Sequence, residues 1–137
     1  MIIGLGEDLV EISRIARLIE DKGDHFLAKC FTPFEIEKAE KHKTKDRIHS
    51  YYAKRFAAKE ACLKALGTGM RAGISWQDMR IGNDDMGRPL LTVSGGVSDR
   101  LNEIAKNKDT AIHITLSDEA GLAKATVILE SLSTVSR

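Results

Sequence analysis

The chain has 137 residues, of which 42% are hydrophobic and 30% charged, and its formal net charge at pH 7 is +1. A chain of this length buries about 70% of its extended surface as one domain without disulfides or metals, so we expect a soluble globular protein. A net charge so close to zero gives no whole-molecule field that would favour nucleic acid or an anionic membrane as a partner.

The N-terminal segment 1–5 is a short apolar run that predicts a strand, and Gly4-Leu5-Gly6 lies at its end. A Gly-x-Gly after a strand can indicate a dinucleotide-binding fold, but Leu9 stands where the third glycine is required. Repeated βαβ units are also lacking in the sequence, so we exclude that fold. Asp8 follows the predicted strand, where aspartate is common in turns, and spacing alone favours a plain turn residue.

The same segment argues against secretion. Glu7, Asp8 and Glu11 stand where a signal peptide needs an apolar core. No stretch of the sequence is long and apolar enough to span a membrane. Cys30 and Cys62 are too few for a disulfide framework. We therefore expect a cytoplasmic protein with reduced thiols.

Three helices are predicted next. An amphipathic pattern indicates a helix over 12–21, with Ile15, Leu18 and Ile19 inward and Arg14 and Arg17 outward. Gly23 ends it, and a second helix is expected over 24–30. Thr32-Pro33-Phe34-Glu35 is a capping box with proline in the first turn, which starts a third helix. The polar residues 42–46 predict a mobile loop.

A central helix is predicted over 51–66, with Ser50 as N-cap and Gly67 just past the C-terminus. Large apolar side chains occupy one side, with Lys59 inside that stripe and Glu60 at its edge, and alanines occupy the other. The stripe consists of Tyr52, Phe56, Leu63 and Leu66, and the opposite side of Ala57, Ala58, Ala61 and Ala65. Such a helix is covered on both sides, where ionisable groups need a partner or a metal. From spacing alone, Glu60 is either half of an ordinary i,i+4 ion pair with Lys64 or part of a site.

The second half of the chain is predicted to contain two hairpins and one helix. Strands are expected over 76–82 and 89–94, a helix over 97–107, and strands over 110–117 and 122–129. Residues 133–137 are expected to form a frayed tail. His113, Thr115 and Ser117 alternate with apolar residues, and a wet sheet face explains them as simply as a site does. The sequence therefore predicts an α+β fold with a mostly antiparallel sheet packed with a long central helix.

Basic residues are concentrated between Lys38 and Lys64, where nine Lys or Arg stand against three acidic residues. A solvated surface is the usual meaning of such a run. Two functional alternatives use such a surface: a nucleotide-binding module without catalysis, and an interaction protein that uses these charges and Arg14 to dock a partner.

The stretch from Arg55 to Gly69, R-F-A-A-K-E-A-C-L-K-A-L-G-T-G, resembles the signature of the holo-acyl-carrier-protein synthases in the 4′-phosphopantetheinyl transferase superfamily. Three further segments match in the family's order. They are G-L-G-E-D-L-V-E-I-S-R-I from Gly4, W-Q-D-M-R-I-G-N-D-D-M-G-R-P from Trp76, and H-I-T-L-S-D-E from His113. The resemblance covers residues 1 to about 132 and implies a single transferase domain there.

The resemblance implies an enzyme of fatty acid biosynthesis that transfers 4′-phosphopantetheine from coenzyme A to a serine of apo-acyl carrier protein. Adenosine 3′,5′-bisphosphate is the other product. Breaking a pyrophosphate is mainly a problem of charge and alignment, and Mg²⁺ bound through carboxylates suits it. By resemblance Asp8 and Glu60 are the Mg²⁺ ligands, and Asp8, Glu60 and Lys64 the catalytic residues. The general base stays open among Glu60, Asp8 and a metal-bound water.

Binding residues carry over from the family in the same way. The expected coenzyme A contacts are Arg47, Arg55, His113 and Thr115 at the 3′-phosphate, Lys64, Gly67, Thr68 and Gly69 beside the phosphates and nucleotide, and Arg88 and Pro89 near the adenine. Arg14, with Arg17 and Leu18, matches the helix that docks the acidic carrier protein. The resemblance also implies a homotrimer. Arg55 and Glu60 point about 140° apart on one helix, which favours sites shared between subunits.

The sequence departs from the family pattern at two places. Many relatives have Ser-His-Glu where this chain has Ser117-Asp118-Glu119, so a role of that histidine is not available here in the same form. Glu7 stands beside Asp8, where relatives often have an uncharged residue. Two roles for Glu7 stay open: added negative potential, or an alternative metal ligand.

Overall fold

The structure, a computed structural model, describes residues 1–71 and 73–133. Its elements are β1 (Ile2–Glu11), α1 (Ile12–Lys22), α2 (Asp24–Cys30), α3 (Pro33–Glu40), α4 (Lys45–Leu66), a 3₁₀ turn (Trp76–Asp78), β2 (Met79–Asn83), β3 (Pro89–Val93), α5 (Gly95–Ile104), β4 (Thr110–Glu119) and β5 (Leu122–Ser131). The strands form an antiparallel sheet of order β1-β5-β4 and a separate antiparallel hairpin, β2-β3. The predicted α+β class is confirmed. None of the helices in the described part of the chain is long and apolar enough to cross a membrane.

Helix α4 lies directly against the three-stranded sheet through its alanine side. Ala57, Ala61 and Ala65 are buried there. The approach is so close that a Cβ added at Gly4 or Gly6 would overlap the backbone carbonyl oxygen of Ala65 or Ala61. The covering of both sides of this helix is thus confirmed, and the element on the alanine side belongs to the same chain.

The opposite side of α4 packs on α2 and α3 around a buried ion pair. The Lys59 ammonium lies 2.7 Å from the Glu35 carboxylate, and both side chains are 0% exposed. Glu35 also accepts from the backbone N–H of Thr32 and of Ile81, at 2.8 and 2.7 Å. The predicted capping box is present, and its glutamate serves a second purpose as the partner of Lys59.

Strand β1 is twice as long as predicted, and the interpretation of Asp8 as a turn residue is wrong. Asp8 pairs with Ala125 inside the β1-β5 ladder. Burial alternates along the strand to Glu11, with Gly6 and Val10 buried on the side of α4 and Glu7 and Leu9 exposed on the other. The strand continues because β5 provides a partner along its full length, which the local sequence of β1 does not reveal.

The central helix begins at Lys45, six residues before the predicted start. Its N-cap is Thr44, whose hydroxyl accepts from the backbone N–H of Arg47 at 3.2 Å, so Ser50 is not the cap. The predicted loop 42–46 is accordingly shorter. The C-terminal prediction is confirmed: Gly67 has φ +73° and closes the helix in the left-handed conformation.

Other boundaries differ by a few residues. Trp76–Asp78 forms a 3₁₀ turn rather than the start of a strand, and α5 runs from Gly95 to Ile104 rather than 97–107. The β4-β5 turn needs only Ala120 and Gly121, both at positive φ, instead of four residues. Of the predicted tail, residues 134–137 lie outside the described residues.

We predict that Gly6→Ala destabilises the protein by about 3 kcal/mol or prevents folding, because the new methyl group meets rigid helix backbone. Chemical denaturation measures the change. Gly82→Ala is the matched control: its added Cβ would lie 3.5 Å from the Phe34 ring, an ordinary contact. We expect a cost of about 1 kcal/mol or less there. Equal costs at the two positions would contradict the close packing of α4 on β1.

Candidate active site

Strand β1 and helix α4 bring Asp8, Glu60 and Lys64 together at the margin of the core. Asp8 is on the side of β1 that faces α4, and Glu60 and Lys64 are one helical turn apart on α4. The Lys64 ammonium donates to Asp8 Oδ1 and to the Glu7 carbonyl oxygen, both at 3.0 Å. The ordinary ion pair between Glu60 and Lys64 is therefore not what forms, because Lys64 reaches across to the strand.

Glu60 is held near a second carboxylate without an ion pair among the described residues. Burial raises the pKa of Glu60, and the Asp8 carboxylate raises it further, while Lys64 and Arg14 oppose the shift. Two neighbouring carboxylates at a half-buried position repel each other when both are charged, and a cation bound between them would offset that repulsion.

The donor set fits Mg²⁺. This cation binds proteins through one or two carboxylates and fills its other positions with water and substrate oxygens. Asp8 and Glu60 supply two carboxylates, and no group of three or more His, Cys, Asp or Glu that could hold a metal occurs within residues 1–71 and 73–133.

Glu7 does not join Asp8 and Glu60. Its side chain points to the other face of β1, where it lies 3.4 Å from Lys124 and accepts from Thr126. The expectation of an alternative ligand at Glu7 is wrong because neighbouring strand residues alternate between faces.

A cleft of about 840 Å³ opens at the N-terminal half of α4. Its walls come from α3, α4, the β2-β3 hairpin and the end of β4. Its basic lining residues are Lys38, Lys41, His42, Arg47, Lys54 and Arg55, and its acidic ones are Asp46 and Asp118. Much of the basic run seen in the sequence is thus concentrated in one concavity, and Lys59 is buried in the core.

Arg55 is a buried cation of this cleft with contacts on two sides. It is buried, its guanidinium stacks 3.9 Å from the Tyr51 ring centroid, and Nη2 donates to Asn83 Oδ1 at 3.3 Å. Burial lowers its pKa. Nε has no hydrogen-bond partner among the described residues. A guanidinium fixed in place with spare donors is suited to an anion such as a phosphate.

The remaining predicted contacts are spread over other surfaces. His113 and Thr115 point to the exposed face of the sheet, away from α4, and His113 lies 2.9 Å from Glu130. Arg88 is in the β2-β3 turn and pairs with Asp84 at 3.3 Å, and Pro89 lines the cleft. Gly67, Thr68 and Gly69 follow the C-terminus of α4, on the side of Lys64. On α1, Arg14 and Arg17 are exposed and Leu18 packs partly on the core.

A single chain therefore contains two separate groups of predicted site residues. Asp8, Glu60 and Lys64 lie together where β1 meets α4. Arg47, Arg55 and Pro89 line the cleft. Sequence reasoning missed the roles of Tyr51, Asn83 and Lys54 in the cleft. Tyr51 carried a signal, because it lies one helical turn before Arg55. Asn83 and Lys54 meet their partners from distant parts of the chain.

The model of the 4′-phosphopantetheinyl transferase superfamily matches residues 4–124 of this sequence. A holo-(acyl-carrier-protein) synthase of Bradyrhizobium sp. is 46% identical in an alignment of 135 positions, and the match covers 97% of this chain and 97% of that one. The chain belongs to the 4′-phosphopantetheinyl transferase superfamily. The predicted family and enzyme class, a phosphopantetheinyl transferase of the holo-(acyl-carrier-protein) synthase type, are confirmed.

Solved transferases of this type share the fold. The crystal structure of holo-(acyl-carrier-protein) synthase from Neisseria meningitidis has a TM-score of 0.82 and 34% identity, and the alignment covers 96% of this chain and 100% of that one. The enzyme from Bacillus anthracis, solved in complex with CoA (3′,5′-ADP), has a TM-score of 0.78 and 33% identity, with 96% and 99% covered.

We predict that Glu60→Gln raises the melting temperature of the transferase at pH 7 in EDTA, because it removes a charge that burial and Asp8 disfavour. A carboxyl whose pKa is raised in the folded state destabilises the fold above that pKa and not below the unfolded value of about 4.3. The difference between the two proteins should therefore shrink as the pH falls. Glu37→Gln, the same change at an exposed position of α3, is the control and should leave the melting temperature nearly unchanged. A lower melting temperature for Glu60→Gln would mean that Glu60 is already neutralised by the protein.

Proposed function

We propose that this transferase moves 4′-phosphopantetheine from coenzyme A to a serine of apo-acyl carrier protein in a Mg²⁺-dependent reaction, and that residues 1–132 form the transferase domain. The observation that carries the proposal is the grouping of Asp8, Glu60 and Lys64 where β1 meets α4. The chemistry needs positive charge on a pyrophosphate, and this group combines two carboxylates for a cation with one ammonium for phosphate oxygen.

Asp8 and Glu60 would hold the Mg²⁺ ion, which when bound neutralises charge on the phosphates. Lys64 already bonds Asp8 Oδ1, so it orients that carboxylate and keeps an ammonium beside the same site. With a side chain that is 54% exposed, Lys64 is accessible to a phosphate oxygen of the substrate. Either carboxylate, or a water between them, can accept the serine proton.

The nucleotide part of coenzyme A is assigned to cationic surfaces. Arg47 and Arg55 in the cleft, with His113 and Thr115, are proposed to bind the 3′-phosphate, and Arg88 and Pro89 to lie near the adenine. Gly67, Thr68 and Gly69 are proposed to present backbone N–H groups near Lys64. The buried Arg55 Nε–H, which has no hydrogen-bond partner among the described residues, supports an anionic ligand in the cleft, and the relative from Bacillus anthracis was solved with CoA.

The carrier protein is proposed to dock on α1. Arg14 and Arg17 are exposed on this helix, and Arg14 is close enough to Glu60 to influence its pKa. An acidic partner bound through Arg14, Arg17 and Leu18 would therefore bring its serine to the carboxylate group. Charge pairs of this kind steer encounter and are screened by salt.

We further propose a homotrimer whose sites are shared between subunits. The sheet face opposite α4 is uncovered within the described chain, and Leu5 and Leu9 are 66% and 58% exposed there. Large apolar side chains exposed on an uncovered sheet face, on either side of Glu7, are consistent with an interaction surface there. His113 and Thr115 lie on this face, whereas Arg55 lies in the cleft on the other side of the sheet. A neighbouring subunit is the simplest means of bringing them to one coenzyme A molecule.

The proposed reaction is tested by mass spectrometry of the carrier protein after incubation with coenzyme A, Mg²⁺ and enzyme. We expect the gain of one phosphopantetheine. Asp8→Asn and Glu60→Gln should each nearly abolish transfer, since they keep shape and remove ligand charge, while Glu37→Gln should retain it. Coenzyme A binding without transfer would instead indicate a binding module.

A second readout tests the metal without turnover. Added Mg²⁺ should raise the melting temperature of the wild type more than that of either variant, because a ligand stabilises the state that binds it. Near-normal transfer by a variant at limiting Mg²⁺ would remove that residue from the metal site.

A further inference from the structure

Asp118, at the C-terminal end of β4, joins the sheet to the N-terminal half of α4. Its Oδ1 lies 3.1 Å from the Lys54 ammonium, and its Oδ2 accepts from the Ser50 hydroxyl at 3.1 Å. All three residues line the 840 Å³ cleft. This carboxylate therefore lies inside the cavity that also contains Arg47 and Arg55, and it is not an isolated surface charge.

The donors that Asp118 engages belong to a row on α4. Arg47, Ser50 and Lys54 are spaced i, i+3 and i+7, which places them on one helix face. Asp118 occupies two of the three. The Arg47 guanidinium takes part in no ion pair among residues 1–71 and 73–133. These three side chains are hydrogen-bond donors of the kind that bind phosphate. Two of them, Ser50 and Lys54, already donate to the Asp118 carboxylate.

Asp118 is held in its charged form by these contacts. The hydrogen bond from Lys54 is the largest of the effects that lower the pKa of Asp118, and Ser50 adds to it. A carboxylate and a phosphate accept the same kind of hydrogen bond from an ammonium or a hydroxyl. Two anions cannot use the same donors fully, and they repel each other at close range.

We propose that Asp118 is an affinity-determining residue that competes with the nucleotide phosphate of coenzyme A for Lys54 and Ser50. The proposal rests on the proposed function, because it takes the cleft to be the coenzyme A site. In the free enzyme Asp118 neutralises Lys54; in the complex Lys54 and Ser50 turn to the ligand, and the Asp118 charge opposes its retention. The same competition weakens the hold on adenosine 3′,5′-bisphosphate and so favours release of this product.

The test is calorimetric titration of coenzyme A and of adenosine 3′,5′-bisphosphate into wild type and Asp118→Asn at low ionic strength. We expect both ligands to bind the variant about threefold more tightly or better, the scale of a single partly exposed ion pair. The difference should diminish at high salt. Asp46→Asn removes the other carboxylate of the cleft, which has no ion pair within the described residues, and should have a smaller effect.

Two further variants identify the cause. The double variant Lys54→Gln/Asp118→Asn should lose the gain in affinity that Asp118→Asn shows over wild type, because it has no Lys54 ammonium to offer the ligand. Lys54→Gln alone should bind coenzyme A more weakly than wild type, since Asp118 then faces the ligand without its cation. If Asp118→Asn does not fold, Asp118→Ser, which also removes the charge, takes its place in the same titration.

Unchanged or weaker coenzyme A binding by folded Asp118→Asn overturns the proposal, as does a double variant that binds coenzyme A as tightly as Asp118→Asn alone. Failure of the wild type to bind coenzyme A at all would instead refute the assignment of the cleft, and with it the proposed function. The transfer assay on wild type separates the two cases.

Discussion

The ion pair between Lys59 and Glu35 is the contact on which the placement of α4 depends. The Lys59 ammonium has three N–H donors, and all three are used: one by Glu35 and two by the carbonyl oxygens of Cys30 and Trp76. Burial alone lowers the pKa of Lys59, and the Glu35 carboxylate opposes that shift. Removing one partner of a buried pair costs about 3–5 kcal/mol, because the other charge is left without compensation. The pair therefore tolerates only the arrangement in which α2, α3 and the segment before β2 meet α4 together.

A rigid α4 distributes its functional side chains to different surfaces. Glu60 and Lys64 point toward β1 and Asp8, whereas Arg55 points into the cleft beside the β2-β3 hairpin. The 22-residue helix is about 33 Å long, so its two halves serve separate regions. His113 is on a third surface, the uncovered sheet face. This division is the physical reason to propose that a complete site draws on more than one copy of the chain.

Local signals in the sequence predicted the elements that local interactions fix. The capping box at Thr32 and the left-handed Gly67 have their partners within a few residues, and both were found as expected. The length of β1, and hence the setting of Asp8, depends on β5, more than 100 residues away. The start of α4 was missed because residues 45–50 contain a single apolar residue, Ile48, and therefore show no apolar periodicity. The sequence predicted that Lys59 lies within the apolar stripe of the helix and needs a partner. That partner, Glu35, is 24 residues away along the chain and was identified only from the structure.

The division of the α4 side chains between sites is tested most directly by complementation. Glu60→Gln and Arg55→Ala, each expected to be inactive alone, are unfolded, mixed and refolded together. The assembled fraction is isolated by size exclusion and its mass is checked by light scattering. Transfer to the carrier protein is then measured on that fraction. If Glu60 of one subunit and Arg55 of another serve the same coenzyme A, some mixed assemblies contain an intact site and activity reappears. A mixture that assembles and stays as inactive as its parents would show that each site takes both residues from one chain.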